Sequence, residues 1–251
     1  PVTISALELD VLWEHLGFGE MPLILRVPSP GKTMAERARL VEHAWQGLAQ
    51  RGLGRTVDLS PALVRLLGVL RRPDREVDGR VWLGGPVRFL AAATREDAVL
   101  AVFENDALTL RLADATGLPR HALSVLPAAP AGPGQSVTLP TGDFEAAARA
   151  RSPKEFEAAL RERGVRADDA TALVTMVGDV VRQGQFGAAA RDRLGQRVRA
   201  NRVVSFFDTE AGRYVQIRRD QPNERSWSTI SPADHRRMLQ HVSALHDEVA
   251  R

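Results

Sequence analysis

Residues 75–112, REVDGRVWLGGPVRFLAAATREDAVLAVFENDALTLRL, decide the fold class of this chain. Short apolar runs separated by turn residues predict strands at about 75–82, 87–94, 98–104 and 107–112. The turns at Gly84-Gly85 and Asn105-Asp106 are short enough for hairpins, so these strands should pair antiparallel.

Helices are predicted before and after these strands. Leu9, Leu12 and Trp13 form an apolar helical stripe, Thr33 begins a helix that ends near Gly52, and Ser60-Pro61 begins the next. A short strand is expected at Leu23 to Val27. Further helices are expected near 117–126, 142–150, 153–163, 168–182 and from Ser231 onward, with strands near 185–193, 202–208, 212–219 and 226–230.

Three segments of the first half recur in order in the second half. Residues 48–53 resemble 160–165, 62–68 resemble 172–178, and 99–106 resemble 203–210. The sequence thus predicts two related halves that share one sheet. We expect an α+β fold with a central, largely antiparallel sheet flanked by two helical bundles and pseudo-twofold halves. The N-terminal half would be 1–126 and the C-terminal half 142–251, forming one continuous globular unit.

A Pro/Gly-rich uncharged segment, residues 127–141, separates the halves and is predicted to be a linker that does not join the sheet. The chain of 251 residues contains no cysteine and no run of about 20 apolar residues, which excludes disulfides and predicts no membrane span. The N-terminus lacks a signal-peptide pattern, so the cytoplasm is the expected location.

Gly31-Lys32-Thr33 is the motif that best suggests an enzyme, because it resembles the end of a phosphate-binding loop. The first glycine of that loop is replaced by Arg26, and Pro28 and Pro30 remove backbone donors. A nucleotide-binding enzyme is therefore the alternative function. The six histidines lack metal-ligand spacing, so we expect no catalytic residues, no metal and no cofactor.

Five arginines between Arg191 and Arg202, with only Asp192 among them, give a charge of +4 in twelve residues of a chain whose net charge is +3. The spacing of Arg197 and Arg199 would place both on one strand face, suited to carboxylates or phosphates. A module that binds an acidic partner is thus a second alternative, and a solvated sheet face is the other reading. Aromatic residues are absent from the cluster, so no nucleic acid is expected.

The pattern as a whole resembles the EspG family of actinobacterial type VII secretion. The resemblance rests on LELDVLWEHLGFGEMPLILRVPSPGKTMAER (7–37), LAQRGL (48–53), LVRLLGVLRRPDREVDGRV (63–81), GRYVQIRR (212–219) and WSTISPADHRRML (227–239). It implies a cytosolic, non-enzymatic chaperone that binds the hydrophobic tip of a helical secreted protein, a PE–PPE-like heterodimer. Such a chaperone would keep its client soluble and deliver it to the secretion machinery.

The resemblance also implies where the client binds. The family site maps to the sheet near the Gly84-Gly85 turn and to the helices and strand of the second half: Arg80, Trp82, Leu83, Leu173, Met176, Val180 and Phe186. Trp82 precedes a tight turn, where an exposed indole would anchor a partner; by its position alone, a tryptophan packed on the sheet is the favoured alternative. Pairing through edge strands also makes a homodimer compatible with the sequence.

Overall fold

The computed structural model describes residues 1–220 and 225–250. The first half consists of β1 Val2–Ser5, α1 Ala6–His15, α2 Met34–Gln50, β2 Gly54–Arg55, β3 Asp58–Leu59, α3 Pro61–Arg71, β4 Arg75–Trp82, β5 Pro86–Ala93, β6 Ala98–Glu104, β7 Ala107–Ala113 and α4 Leu118–Leu123. The second half consists of β8 Val137–Pro140, α5 Thr141–Ala147, α6 Pro153–Glu162, α7 Ala167–Met176, β9 Arg182–Arg191, β10 Arg197–Arg199, β11 Val204–Thr209, β12 Gly212–Arg219, β13 Trp227–Pro232 and α8 His235–Val249.

Local sequence signals account for where several helices begin. The hydroxyls of Ser5 and Thr33 accept hydrogen bonds from the backbone N–H groups of Glu8 and Glu36, whose carboxylates bond back to the cap residues. These two capping boxes satisfy backbone donors that an isolated helix end leaves unpaired. The helix starts predicted at Thr33 and at Ser60-Pro61 are confirmed.

The main sheet has eleven strands, in the order β1-β7-β6-β5-β4-β9-β11-β12-β13-β8, with β10 paired to the free half of β9. Every pairing of named strands is antiparallel among the described residues. The order is symmetric about its centre. β4 and β9 are the two central strands, and each is followed outward by four strands, which end at the edges β1 and β8. The predicted α+β fold with pseudo-twofold halves is confirmed.

This symmetry corrects one of the three internal matches. Residues 99–106 lie on β6, the third strand from the centre, whereas 203–210 lie on β11, the second strand from the centre. The counterpart of β6 is β12, so this match pairs the wrong strands. Short buried strands are built largely from the same residue types, such as Val, Phe and Ala. Similar sequences therefore do not show that two strands occupy equivalent positions in the two halves. The other two matches align α2 with α6 and α3 with α7.

Two layers of helices cover the sheet. On one face, α4 and α8 pack over a core that includes Phe89, Phe186, Phe206 and Met238. On the other face, α1 to α3 cover the N-terminal strands and α5 to α7 cover the C-terminal strands, each over its own apolar cluster. The central strands β4 and β9 lie between these two helical bundles.

Two predicted elements differ from the structure. Leu23 to Leu25 form a turn, not a strand, in which the Leu25 N–H donates to the Pro22 carbonyl at 2.9 Å. Leu25 is fully buried, so its apolar character reflects core packing. The helix predicted over 168–182 ends at Met176, because Gly178 and Asp179 follow and Asp179 adopts a φ of +44° that a helix does not allow.

The Pro/Gly-rich segment joins the sheet at its C-terminal end, contrary to expectation. Val137–Pro140 form the edge strand β8, paired with β13. Earlier in the segment, the Arg213 N–H donates to the Pro130 carbonyl at 2.8 Å, and the Tyr214 hydroxyl donates to the Pro133 carbonyl at 2.9 Å. Pro140, the one proline of the segment that lies in a strand, is at the end of this edge strand, where a missing N–H costs no ladder bond.

No helix within the described residues is long and apolar enough to cross a bilayer. The two sheet edges, β1 and β8, are only four residues long. Short edge strands offer little surface for pairing with a second sheet. The homodimer therefore stays a prediction.

Candidate functional site

A groove lies between the two helical bundles, over β4, β9 and β11; we call it the central groove. Its walls include residues 20–24, Leu70, Arg71 and Pro73 on the N-terminal side and Val177 and Val180 on the C-terminal side. Val77 and Val81 of β4 face the α4/α8 core. Since side chains alternate along a strand, Glu76, Asp78, Arg80 and Trp82 face the groove.

The middle of the groove floor is polar. Strand register aligns one residue from each of five neighbouring strands in a row: Arg88, Arg80, Gln185, Ser205 and Gln216. Arg80 and Gln185 are exposed and the other three are partly buried. A polar row at the centre of an eleven-stranded sheet, where both faces are usually covered by apolar packing, indicates a surface that meets a partner or solvent.

Two buried carboxylates form the floor nearer the start of β4. Arg197 donates to Glu76 with an Nε–Oε1 distance of 2.8 Å, and Arg199 donates to Asp78 with an Nη2–Oδ1 distance of 2.9 Å. Both carboxylates are only 6% exposed. Burial raises the pKa of Glu76 although Arg197 opposes this shift, and the hydrogen bond to Asp78 raises the pKa of Arg199.

Small residues on β9 let these arginines reach across the strand. Gly187 is the register partner of Asp78, and Ala189 is the partner of both Glu76 and Arg199. A Cβ atom on Gly187 would overlap the guanidinium of Arg199. The glycine therefore opens the path by which Arg199 crosses β9 to its carboxylate.

The arginine cluster thus differs from its predicted role. Arg197 and Arg199 pair with carboxylates 121 residues away, and Arg202 pairs with Glu248. Arg191 donates to the carbonyls of Pro73 and Gly195. Most of the cluster's charge is consequently neutralised within the fold, so the prediction that Arg197 and Arg199 are free for an acidic partner is wrong.

Arg80 is an unpaired cation on the floor of the groove. Within residues 1–220 and 225–250 its side chain forms no hydrogen bond or ion pair, and it lines the cavities on both sides of the floor. Its register partner is Arg88, whose guanidinium lies 4.3 Å from the centre of the Phe103 ring and donates to the Arg26 carbonyl. Burial and the charge of Arg80 lower the pKa of Arg88. Like charges directly opposite each other on neighbouring strands repel. A hydrogen-bond acceptor from a partner that bound Arg80 would reduce this repulsion.

Exposed apolar side chains lie at the other end of the groove. Trp82 is 51% exposed and is the register partner of Gln183. Val180 and Val181 are 40% and 45% exposed in the segment that links α7 to β9, and Val180 lines the cavity that contains Gln183. Leu83 is partly buried and packs against the α4/α8 core, on the face opposite the groove.

Three predicted partner contacts are wrong, because Leu173, Met176 and Phe186 are fully buried. Phe186 points into the α4/α8 core, where its ring centre lies 5.3 Å from that of Phe89 and 6.1 Å from that of Phe206. Leu173 and Met176 form the side of α7 that packs on the C-terminal strands. The additional apolar residues of α7 therefore belong to the hydrophobic core and not to a binding surface.

The loop at Gly31-Lys32-Thr33 does not form a phosphate cradle. The backbone N–H groups of Lys32 and Thr33 both donate to the Glu36 carboxylate, at 2.9 and 3.3 Å. A carboxylate thus occupies the place where a phosphate would accept these bonds. In the part of the chain that the structure describes, no group of three or more metal-ligating side chains occurs.

Sequence reasoning missed the Glu76 and Asp78 carboxylates and the polar row. A signal was present, since β4 alternates apolar residues with Glu76, Asp78 and Arg80 inside a strand flanked on both sides by strands. A central strand with one charged face predicts an uncovered or internally paired surface.

Comparisons with known proteins place this geometry in context. A protein-family model described as the EspG family matches residues 5–244. The chain is also similar in structure to the type VII secretion system chaperone EspG5 of Mycobacterium tuberculosis, solved in complex with the PE25–PPE41 dimer. The TM-score is 0.74 at 17% sequence identity, and the match covers 99% of this chain and 96% of that one. No curated protein matches the sequence.

Proposed function

Because the chain belongs to the EspG family, we propose that it is a non-enzymatic chaperone of type VII secretion. Its client would be a helical secreted protein, a PE–PPE-like heterodimer, as expected from the complex in which the similar EspG5 was solved. The chaperone keeps the hydrophobic tip of the client out of water in the cytosol and delivers it to the secretion machinery.

The observation that carries this proposal is the uncovered centre of the sheet. On this face neither helical bundle covers β4 and β9, and the exposed surface combines Trp82 and Arg80 of the floor with Val180 of the wall. Apolar side chains of a client tip would pack on Trp82 and Val180, because exposed apolar patches rimmed by polar groups mark interfaces.

Arg80 supplies the polar half of the recognition. The last turn of any helix leaves carbonyl groups without intrahelical partners, and the helix dipole places partial negative charge there. A client whose helical tip presents such carbonyls, or a carboxylate, would accept hydrogen bonds from Arg80 and from Gln185 beside it. Arg197 and Arg199 act indirectly, by neutralising the buried carboxylates of the floor.

Co-expression with a PE–PPE-like pair from the same genome tests the proposal. We expect the wild-type chaperone to form a complex with the pair that persists through size-exclusion chromatography. Trp82→Ala should weaken binding by about 30-fold or more, since buried interface tryptophans contribute about 2 kcal/mol or more. Arg80→Glu should abolish the complex, because it places a carboxylate opposite the client's carbonyls.

Trp227→Ala provides a matched control, since Trp227 is 41% exposed but lies on β13, near the far edge of the sheet. This variant should bind the client as the wild type does. The proposal fails if the wild type retains no secreted helical protein, or if Trp82→Ala and Trp227→Ala have equal effects. Fractionation of the host cell tests the cytosolic location.

A further inference from the structure

A second charged surface lies at the opposite end of β4 and β9 from Trp82; we call it the basic end. A cavity of about 500 Å³ is bounded there by the start of β4, the β5–β6 turn and the β9–β10 turn. The charged residues that line it are Arg72, Asp74, Arg75, Arg95, Arg191, Asp192 and Arg193. Five cations against two anions leave a net charge of +3 in this one cavity, as much as the whole chain carries.

The internal bonds of this cavity leave most of its cations available. The guanidinium of Arg191 is engaged with backbone carbonyls, and one oxygen of Asp192 accepts two backbone hydrogen bonds within its own turn. The remaining arginines, in the part of the chain that the structure describes, form no ion pair or side-chain hydrogen bond: Arg72, Arg75, Arg95 and Arg193.

These free arginines come from three separate places in the sequence. Arg75 is the register partner of both Ala93 and Ala190, so the residues that follow β5 and end β9 meet beside it. Arg95 and Arg193 each lie in a turn and are exposed. The fold therefore brings together positive charges that lie far apart in the sequence. Of these four arginines, only Arg193 belongs to the arginine-rich segment between Arg191 and Arg202.

The chemistry of the basic end favours carboxylates on a polypeptide. Each guanidinium offers paired N–H donors that fit a carboxylate. Several adjacent guanidinium groups therefore bind a ligand with several carboxylates more tightly than a ligand with one. No aromatic side chain lines the cavity, so bases of a single-stranded nucleic acid would have nothing on which to stack. Leu194, at the tip of the β9–β10 turn beside Arg193, is 83% exposed and offers an apolar contact.

We propose that the basic end binds an acidic polypeptide segment that carries a hydrophobic residue for Leu194. Because Arg75 and Trp82 stand seven residues apart along β4, the basic end lies about 23 Å of strand from the Trp82 end of the central groove. A client held at the Trp82 end of the groove and an acidic segment at the basic end can therefore bind together, although Arg191 lines both the basic end and the nearer part of the groove. This inference does not depend on what occupies the groove.

Fluorescence anisotropy with a labelled oligoglutamate peptide tests the proposal. The wild type should bind the peptide with an affinity that falls as salt rises, because the contacts are charge pairs at the surface. The double variant Arg95→Glu/Arg193→Glu should bind at least about tenfold more weakly, since two charges are reversed at exposed positions. Both residues lie in exposed turns, so the variant should keep the wild-type melting temperature.

The double variant Arg149→Glu/Arg236→Glu is the matched control, because it makes the same change in net charge at two exposed positions elsewhere. It should bind oligoglutamate within about twofold of the wild type. An equal loss in both double variants would show that net charge, and not the basic end, attracts the peptide, and would overturn the proposal. Equally tight binding of an oligouridylate of the same charge would overturn the choice of polypeptide.

Leu194→Ser separates the apolar contact from the charge. This variant should bind a peptide of alternating glutamate and leucine more weakly than the wild type does, with no change for oligoglutamate. Unchanged binding of the mixed peptide would remove Leu194 from the site. Because the double variant at the basic end leaves the groove intact, it should also retain the PE–PPE-like client, and this result keeps the test independent of the proposed function.

Discussion

The buried ion pair between Asp208 and Arg213 allows the sharpest test of how the second half is held together. The two residues are register partners on β11 and β12 and are 1% and 0% exposed. Two parallel hydrogen bonds join them, with Nε–Oδ1 and Nη2–Oδ2 distances of 2.7 and 2.9 Å. Arg213 also donates to the carbonyl of Pro127 at 2.9 Å, which ties the Pro/Gly-rich segment to this hairpin.

Asp208→Asn keeps the shape of the side chain and removes its charge. The guanidinium of Arg213 would then remain buried without a counter-ion, which costs about 3–5 kcal/mol when one partner of a buried pair is removed. The amide of asparagine accepts fewer hydrogen bonds than the carboxylate, and the guanidinium of Arg182, 3.6 Å from Asp208, is a second cation that cannot serve as a counter-ion for Arg213. Since domains are stable by only about 5–15 kcal/mol, this loss is a large part of the total.

Urea unfolding followed by circular dichroism measures the effect. We expect Asp208→Asn to lower the free energy of unfolding by about 3–5 kcal/mol. The double variant Asp208→Asn/Arg213→Met should lose less than the sum of the two single variants, because it leaves no buried unpaired charge. Asp97→Asn, which removes the partially exposed pair with Arg65, should cost at most about 1 kcal/mol. A loss at Asp208 no larger than at Asp97 would refute the reasoning.

Two other perturbations follow from single contacts. Gly187→Ala places a Cβ against the Arg199 guanidinium and should lower the free energy of unfolding in urea by about 1–3 kcal/mol, because the buried carboxylate of Asp78 loses its donor. Gly142→Ala is the control, since open space surrounds Gly142, and it should cause no such loss. Equal losses in the two variants would contradict the clash. Burial, together with the Arg75 charge, lowers the pKa of His246, so the unfolded chain binds protons more readily and stability should fall as pH drops below about 6.5. His246→Gln should flatten that fall in melting temperature, and an unchanged slope would exclude His246 as its source.

The sequence predicted the elements whose signals are local. The four strands from Arg75 onward and the helix starts at Thr33 and Pro61 depend on residues within a few positions of each other. The edge strands β1 and β8 were not predicted, because each has only four residues and β8 ends in a proline, so neither carries a clear strand signal by itself. They form because the sheet offers them a partner edge, and this is tertiary information.

The candidate site was predicted only in part, for a similar reason. Trp82 and Arg80, both named from the family resemblance, are exposed, although the position of Trp82 in the sequence favoured a residue packed on the sheet. Arg197 and Arg199 were expected to be free, but their partners lie 121 residues away in the sequence. Phe186 illustrates a different limit, because only the register with Gly79 shows which face of the sheet its ring occupies.

The symmetry of the fold explains why the groove exists where it does. Each half covers its own outer strands with its own helical bundle, and the pseudo-twofold axis passes between β4 and β9, where neither bundle reaches. The groove on this face, here called the seam, therefore follows from the way the two halves are joined, which is through β4 and β9, the first long strand of each half. The chain fills one end of the seam with Glu76 and Asp78, neutralised from β10, a strand that has no counterpart in the first half. The other end keeps Arg80 and Trp82 exposed, so the departure from symmetry leaves one part of the seam open to a partner.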